Sequence, residues 1–142
     1  MKWLKSTLII QTEDQGLLDI TEKINAQLRD WGVREGILFL FIQHTSASLM
    51  INEDYAELAR RDMENFLKRL IPEGDTWYEH TIEGKDDSPA HLRTLITHTD
   101  LTVPVDGGQM NLGSWQGIFL AEHHRGGETR KIVLRLLGIE NK

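Results

Sequence analysis

Apolar positions divide the chain into short strands separated by three helical segments. The segments predicted as strands are rich in β-branched and aromatic residues and end at glycine or polar corners. They cover 3–12, 17–20, 36–43, 49–51, 101–105, 109–112, 116–122 and 129–138, with a further extended piece at 77–82. The run at 36–43 (GILFLFIQ) is continuously apolar. It therefore predicts a central strand that is buried on both faces.

The three helices are predicted from apolar residues spaced three or four positions apart. The first covers 21–32, where Thr21 can cap the helix and Gly32 suits its left-handed end. The second covers 54–70, is the strongest of the three, and ends before Pro72. Its broad apolar face consists of Tyr55, Leu58, Met63, Phe66, Leu67 and Leu70. The third begins at Ser88-Pro89, because proline is favoured at the first helical position.

The order of these elements indicates one α+β domain over residues 1–142. The last three strands are joined by short turns, so they are expected to be antiparallel neighbours. No repeat, low-complexity tract or linker interrupts the chain. We therefore predict a single compact domain with about eight strands and two to three helices.

Charge and composition limit which binding partners and which cellular compartment are expected. The formal net charge of −6 argues against a nucleic-acid partner, which requires a dense positive patch. The chain has no cysteine, so a metal would be held by histidine, carboxylate or backbone oxygen. The N-terminus lacks a secretory pattern, and the longest apolar run, 37–42, is too short to span a bilayer. We expect a cytoplasmic protein without a membrane partner.

Several histidines lie where predicted elements begin or end. His44 follows a buried strand, His80 lies before an acidic loop, and His91 is in the first turn of a helix. Strand ends and helix starts can share one rim of a sheet, and neutral imidazole is a common zinc ligand. No HExxH or HxH spacing is present, so each histidine alone is more simply a surface or capping residue. We assign His98 and His124 to that simpler class.

The carboxylates fall into two pairs and one single residue. Glu53 with Asp54, and Asp86 with Asp87, precede helices, where negative charge is favourable and capping explains part of each pair. Glu122 ends an apolar strand. A carboxylate in that position can orient an imidazole, bind a metal or act as a base.

Other polar features have two explanations each. Thr45 and Ser46 follow a strand end, where hydroxyls and free N–H groups can hold a phosphate, although a polar turn is the ordinary explanation. Trp115 follows a glycine corner and is most simply a core residue. The basic residues near the end of the chain can meet an anion or merely alternate along a strand. They are Arg125, Arg130, Lys131 and Arg135.

Three blocks together resemble the YjbQ-like family, to which secondary thiamine-phosphate synthase activity is attributed. They are HTSASLMINED at 44–54, WYEHTIEGKDDSPAHLR at 77–93 and LTVPVDGGQMNLGSWQGIFLAEHHRGG at 101–127. The match covers nearly the whole chain in the right order. The LGSWQGI block is the most specific part, and Ser114 replaces the threonine usual in the family.

The resemblance implies a mixed β-sandwich core, a homotrimer with sites near subunit contacts, and histidines that bind a metal such as zinc. The implied metal ligands are His44, His80 and His91. The residues expected to be catalytic are Glu53, Asp86 and Glu122. The residues expected to bind substrate are Thr45, Ser46, Asn52 and Gln116. Asp87 occupies a position where the family often has asparagine.

Two functions follow from these expectations. The first is a small metal-binding enzyme that acts on a phosphorylated or heterocyclic metabolite. It would be a metal-dependent hydrolase or a transferase with weak thiamine-phosphate synthase activity. That synthase reaction releases pyrophosphate and needs basic groups, whereas the candidates here are mostly histidines and carboxylates, which suit a metal with open positions better. The second function is a non-enzymatic homotrimeric module that binds a metabolite or a metal.

Overall fold

Two antiparallel β-sheets and three helices make up residues 1–140, the part of the chain that the computed structural model describes. The strands are β1 (Lys2–Gln11), β2 (Gly16–Asp19), β3 (Val33–Ile42), β4 (Ala47–Glu53), β5 (Asp100–Asp106), β6 (Gln109–Met110), β7 (Gln116–Glu122) and β8 (Thr129–Glu140). The helices are α1 (Thr21–Trp31), α2 (Glu57–Leu70) and α3 (Asp87–Ile96). The predicted α+β fold is confirmed.

The hydrophobic core lies between the two sheets. The larger sheet has the strand order β1-β8-β3-β5-β6 and the smaller sheet has the order β2-β7-β4. All pairings within both sheets are antiparallel, whereas the resemblance implied a mixed core. Leu38 and Leu134 of the larger sheet and Leu49 and Leu120 of the smaller sheet are fully buried in one cluster. Ile24 brings α1 into the same cluster.

The strand β3 corrects one prediction, because only one of its faces is buried. Its inward side chains alternate with three outward ones. The outward side chains are Ile37, Phe39 and Phe41, and they are 45%, 42% and 48% exposed. The prediction of burial on both faces is wrong for the single chain. The run is apolar because the outer face of the larger sheet is itself apolar.

The strand that is covered on both faces is β7. Ile118 and Leu120 point into the core between the sheets. Phe119 and Ala121 point the other way and form a second cluster, against which Met63 of α2 packs. The smaller sheet is therefore the middle layer, between the larger sheet and α2.

The helices and the loop before α3 differ from prediction at their boundaries. Helix α2 begins at Glu57 instead of residue 54, because the Glu53 carboxylate accepts the amides of Tyr55 (3.1 Å) and Ala56 (3.0 Å). The segment 77–82 contains turns and no strand. There Tyr78 donates its hydroxyl to the carbonyl of Pro72 at 2.6 Å. Within residues 1–140, no helix combines the length and the hydropathy needed to cross a bilayer.

The register of the smaller sheet separates the predicted site residues into two groups. Ala47 pairs with Glu122 at one end of β4 and β7, and Glu53 pairs with Gln116 at the other end. Six residues of extended strand span about 20 Å. Residues near the end marked by Glu122 therefore cannot share one small site with those near Gln116 of the same chain.

Candidate functional site

Asp87, in the first turn of α3, is surrounded by three imidazoles. Its Oδ2 lies 2.5 Å from Nε2 of His80 and 3.1 Å from Nε2 of His91. Its Oδ1 lies 2.6 Å from Nε2 of His124. The side chain is buried, with only 8% of the residue exposed. We refer to Asp87, His80, His91 and His124 as the histidine–aspartate cluster.

On the far side of two rings, Nδ1 has a polar contact. Nδ1 of His91 donates to the carbonyl oxygen of Thr45 at 2.8 Å. Nδ1 of His80 lies 3.3 Å from a carboxylate oxygen of Glu83. The 2.5 Å contact of His80 with Asp87 is a hydrogen bond that Nε2–H donates to the carboxylate, and moving that proton to Nδ1 would free the Nε2 lone pair for a cation. Metal-binding histidines are held in this way, with the other ring nitrogen bonded to a carbonyl or a carboxylate.

The donor set suits a divalent cation. One ligand atom each from His80, His91 and Asp87 lies within 4.8 Å of the other two. Two imidazole nitrogens and one carboxylate oxygen are the protein ligands of several catalytic zinc sites, in which a fourth position stays open. The cluster therefore fits zinc without a cysteine ligand.

His124 links Asp87 to Glu128. Its Nδ1 lies 3.2 Å from Oε1 of Glu128, while its Nε2 contacts Asp87. Burial lowers the pKa of His124, but the hydrogen bonds to Asp87 and Glu128 outweigh this effect and raise the pKa overall. Burial would raise the pKa of Asp87, but hydrogen bonds with His124 and His80 outweigh it and keep that pKa low. The cluster thus favours an ionised Asp87.

His124 was interpreted from the sequence as a surface or capping residue, and the structure instead places it in the cluster. The available signal was its position two residues beyond Glu122, where β7 ends. The sequence could not show that the loop before α3 brings Asp87 to this strand end.

His44, predicted as a metal ligand, is not brought into the cluster. Its Nε2 accepts the amide of Lys131 at 2.8 Å, so the ring proton is on Nδ1. Nδ1–H then lies 3.3 Å from Nη1 of Arg130, so two hydrogen-bond donors face each other. Burial, and next the charge of Arg130, lower the pKa of His44. The ring is neutral and anchors the end of β3 to β8.

Glu122 is occupied by a buried ion pair. Arg130 contacts both carboxylate oxygens, through Nε at 2.6 Å and Nη2 at 2.5 Å, and both residues are at most 2% exposed. Thr12 donates its hydroxyl to the same carboxylate at 3.0 Å, and the amide of His124 donates at 3.1 Å. All of these contacts stabilise the carboxylate where it is. Glu122 therefore supports the loop that carries His124 and has no lone pair directed at Asp87.

Three more predicted site residues make local contacts at the distant end of the smaller sheet. Asn52 accepts the amide of Glu53 at 2.8 Å, Glu53 accepts the amides that precede α2, and Gln116 accepts the amide of Gly113 at 2.8 Å. Trp115 was expected in the core, but it is 58% exposed and makes an edge-to-face contact with Tyr55.

Thr45, Ser46 and Asp86 lie close to the cluster and act largely through structure. Thr45 contributes its carbonyl to His91, and the carbonyl of Ser46 accepts a hydrogen bond from Arg130 at 3.2 Å. Asp86 accepts the amide of Arg125 at 3.0 Å, which joins the start of α3 to the loop after β7. These contacts determine the shape of the cluster.

His123 is a buried residue to which the sequence assigned no clear role. Its Nε2 lies 2.9 Å from the hydroxyl of Ser48, and it is 2% exposed. Burial, and next the charges of Arg93 and Arg130, lower the pKa of His123 to about 3. It is therefore a neutral core residue beside the cluster.

Known proteins are similar to this chain along almost its entire length. A family model described as UPF0047 protein YjbQ-like matches residues 6–139. UPF0047 protein YjbQ of Escherichia coli O157:H7 is 41% identical over 137 residues, which are 96% of this chain and 99% of that protein. A UPF0047 protein of Synechocystis is 37% identical over 131 residues, covering 92% and 89% of the two chains.

Solved structures show the same fold. A YbjQ-like protein of unknown function from Sulfolobus solfataricus superimposes with a TM-score of 0.87 at 27% identity, covering 97% of this chain and 99% of its own. A conserved hypothetical protein from Thermus thermophilus gives a TM-score of 0.84 at 32% identity, covering 93% and 99%.

Proposed function

The chain belongs to the UPF0047 YjbQ-like family, and we propose that it is a small metal-binding enzyme acting on a phosphorylated or heterocyclic metabolite. One observation carries the proposal. His80 and His91 both present Nε2 to one carboxylate oxygen of Asp87, while their Nδ1 atoms face Glu83 and a backbone carbonyl. Surface histidines have no need of such paired second contacts, whereas metal ligands do.

Each residue of the cluster has a distinct task in this proposal. His80 and His91 supply neutral nitrogen donors, and Asp87 supplies the negative charge that partly offsets a dication. His124 holds Oδ1 of Asp87, which leaves Oδ2 directed at the two rings. A bound divalent cation such as zinc would polarise a substrate oxygen or lower the pKa of a water molecule.

Hydrolysis suits the cluster better than the thiamine-phosphate synthase reaction. The cluster offers one carboxylate and three imidazoles, and a metal ion held by such a set with an open position suits the activation of water. We therefore propose a metal-dependent hydrolase first, with thiamine-phosphate synthase as a weak side activity. Rescue of a thiamine-requiring strain at ordinary expression by the wild type, but not by His91→Ala, would reverse that order.

The test of the metal-dependent enzyme combines metal content with turnover. Elemental analysis of the purified protein should find one divalent metal ion per chain. A panel of phosphorylated metabolites, phosphorylated heterocycles among them, should contain a substrate whose hydrolysis stops on chelation and returns when zinc is added. Absence of stoichiometric metal, together with turnover that chelation does not change, would contradict the proposal.

The exposed apolar outer face of the larger sheet supports self-association as a homotrimer, the state that the family resemblance implies. Trp3, Leu137, Ile37 and Pro104 are successive neighbours across β1, β8, β3 and β5 in the strand register. Trp3 is 53% exposed and Ile37 is 45% exposed in the single chain. Contiguous exposed apolar surface of this kind marks an interaction site. If no turnover is found, this face supports the non-enzymatic homotrimeric binding module instead.

A further inference from the structure

A surface pocket beside the histidine–aspartate cluster carries an excess of positive charge. The pocket encloses about 470 Å³. Its lining includes three cationic side chains, Lys68, Arg93 and Arg125, and two carboxylates, Asp14 and Glu73. This excess contrasts with the chain as a whole, whose formal net charge is −6.

Arg93 is the most unusual member of this pocket. It is 2% exposed, and its Nε atom is buried without a hydrogen-bond partner. Nη2 donates to the carbonyl of Ile71 at 2.8 Å, and Arg93 forms no ion pair with a carboxylate anywhere in residues 1–140. A buried guanidinium without a counter-ion is costly, and an anion at the pocket would offset that cost.

The carboxylates of the pocket are already engaged. Glu73 is paired with Arg125, through Nε at 3.0 Å and Nη2 at 2.6 Å. Asp14 accepts the amides of Gln15 (2.8 Å) and Gly126 (3.1 Å), and these two hydrogen bonds are the main cause of its lowered pKa. Neither carboxylate neutralises Arg93 by direct contact.

The other two cations are available to an anion. The Arg125 side chain is 66% exposed, so solvent screens its ion pair with Glu73 and the pair contributes little stability. A more highly charged anion can therefore compete with Glu73 for Arg125. Lys68 is exposed at the C-terminal end of α2 and forms no ion pair among the described residues. Lys68 and Arg125 both lie close enough to Asp14 to lower its pKa.

The pocket borders the candidate metal site along two parts of the chain. Arg125 directly follows His124, and its amide donates to Asp86. Arg93 lies two residues after His91 on α3, so the two side chains leave the helix on different sides. The basic pocket therefore adjoins the cluster through the loop that holds His124 and Arg125, and through a different side of α3.

We propose that the pocket lined by Lys68, Arg93 and Arg125 binds the phosphoryl group of the substrate whose reacting bond lies at the histidine–aspartate cluster. The position of the substrate's reacting bond rests on the proposed function, whereas the binding of an anion in the pocket does not. Arginine and lysine are the usual phosphate partners, and such charged hydrogen bonds are stronger than neutral ones.

The test measures binding of inorganic phosphate and pyrophosphate to the chelator-treated full chain by calorimetry at constant ionic strength. Lys68→Ala and Arg125→Ala, both at exposed positions, should each weaken binding by about tenfold, the effect of one charged hydrogen bond. Arg69→Ala is the matched control, because this exposed neighbour of Lys68 is outside the pocket lining. Arg93→Lys keeps the charge and tests the guanidinium itself.

The outcomes separate the two proposals. Saturable binding that is lost in Lys68→Ala and Arg125→Ala but kept in Arg69→Ala supports the pocket, even if the protein holds no metal. Equal weakening in all three variants, or no binding by the wild type, would overturn the pocket while leaving the metal site to its own test. Circular dichroism of each variant establishes that a lost signal does not come from unfolding.

Discussion

Nδ1 of His91 lies 2.8 Å from the carbonyl oxygen of Thr45, a residue 46 positions earlier in the chain. Thr45 follows the end of β3, and His91 belongs to the first half of α3. The contact places a proton on Nδ1 and directs Nε2 toward Asp87. A backbone carbonyl after one strand therefore orients a side chain on a distant helix, as the outer-shell partners of metal-binding histidines do.

Removal of His91 should remove metal affinity. We expect His91→Ala to weaken zinc binding by more than about 100-fold, because loss of a direct ligand should exceed the cost of losing an outer-shell partner. Competition with a chelating dye measures the affinity. His98→Ala is the control, because His98 is exposed and belongs to no group of candidate metal ligands in residues 1–140. Equal zinc affinity in the two variants would remove His91 from the site.

Glu83 provides a more delicate test of the same site. Its carboxylate oxygen lies 3.3 Å from Nδ1 of His80. Glu83→Gln keeps the size of the side chain and removes its charge, so the ring of His80 becomes a weaker base. We expect zinc affinity to fall by about tenfold, the lower end of such outer-shell effects. An unchanged affinity, measured by the same competition, would show that solvent replaces this contact.

The fold was largely predictable from the sequence, because its signals are local. Glycine corners and apolar alternation located the strands, and Pro72 marked the end of α2. The burial of β3 was predicted incorrectly because an apolar outer face has the same composition as a buried one. An apolar run shows that a surface avoids water, but it does not show whether the same chain covers it.

The site was only partly predictable, since it depends on long-range contacts. His80 and His91 were predicted and meet at Asp87, whereas His44 has a separate environment at β8. His124 reaches Asp87 across 37 positions of sequence. No spacing rule covers such a distance, because the turns of the loop before α3 decide where Asp87 lies.

Glu122 should prove to be a stabilising residue, because it forms a buried pair with Arg130. Glu122→Gln removes the buried counter-charge of Arg130 and leaves it only the half-exposed Glu128, 2.9 Å from Nη1, so we expect a loss of about 3 kcal/mol in the free energy of unfolding. Denaturant titration measures it. Glu22→Gln is the control, since Glu22 pairs with Arg29 at an exposed position and should change stability little. Equal stability losses in the two variants would contradict the structural role.

His123 should make stability depend on pH. Its pKa is about 3 in the folded chain and near 6.5 when unfolded. Below pH 6.5 the unfolded chain therefore binds a proton at His123 that the folded chain does not bind. The contribution of neutral His123 to folding stability is complete above that pH and is lost as the pH falls toward 3. The slope is about 1.4 kcal/mol per pH unit.

Replacing His123 separates its contribution to the pH dependence of stability from the contributions of other titratable groups. Arg93, Arg130 and His124 are the charged or titratable groups whose fields act on it, and all three stay in place in His123→Gln. Denaturant titration across the acidic range should give a flatter pH dependence for His123→Gln than for His98→Gln. Parallel curves for the two variants would mean that His123 can be protonated within the folded chain.

The outer face of the larger sheet should control self-association. Phe39 is 42% exposed at the middle of β3, opposite Arg135 on β8 and Thr102 on β5. Phe39→Glu adds a charge where an interface would exclude water, so light scattering after gel filtration should show a shift from trimer to monomer. Phe66→Glu is the matched control, because Phe66 is 59% exposed on α2, away from this face. A monomeric wild type, or equal dissociation of both variants, would contradict the assignment, because the apolar face of β3 would then need another explanation.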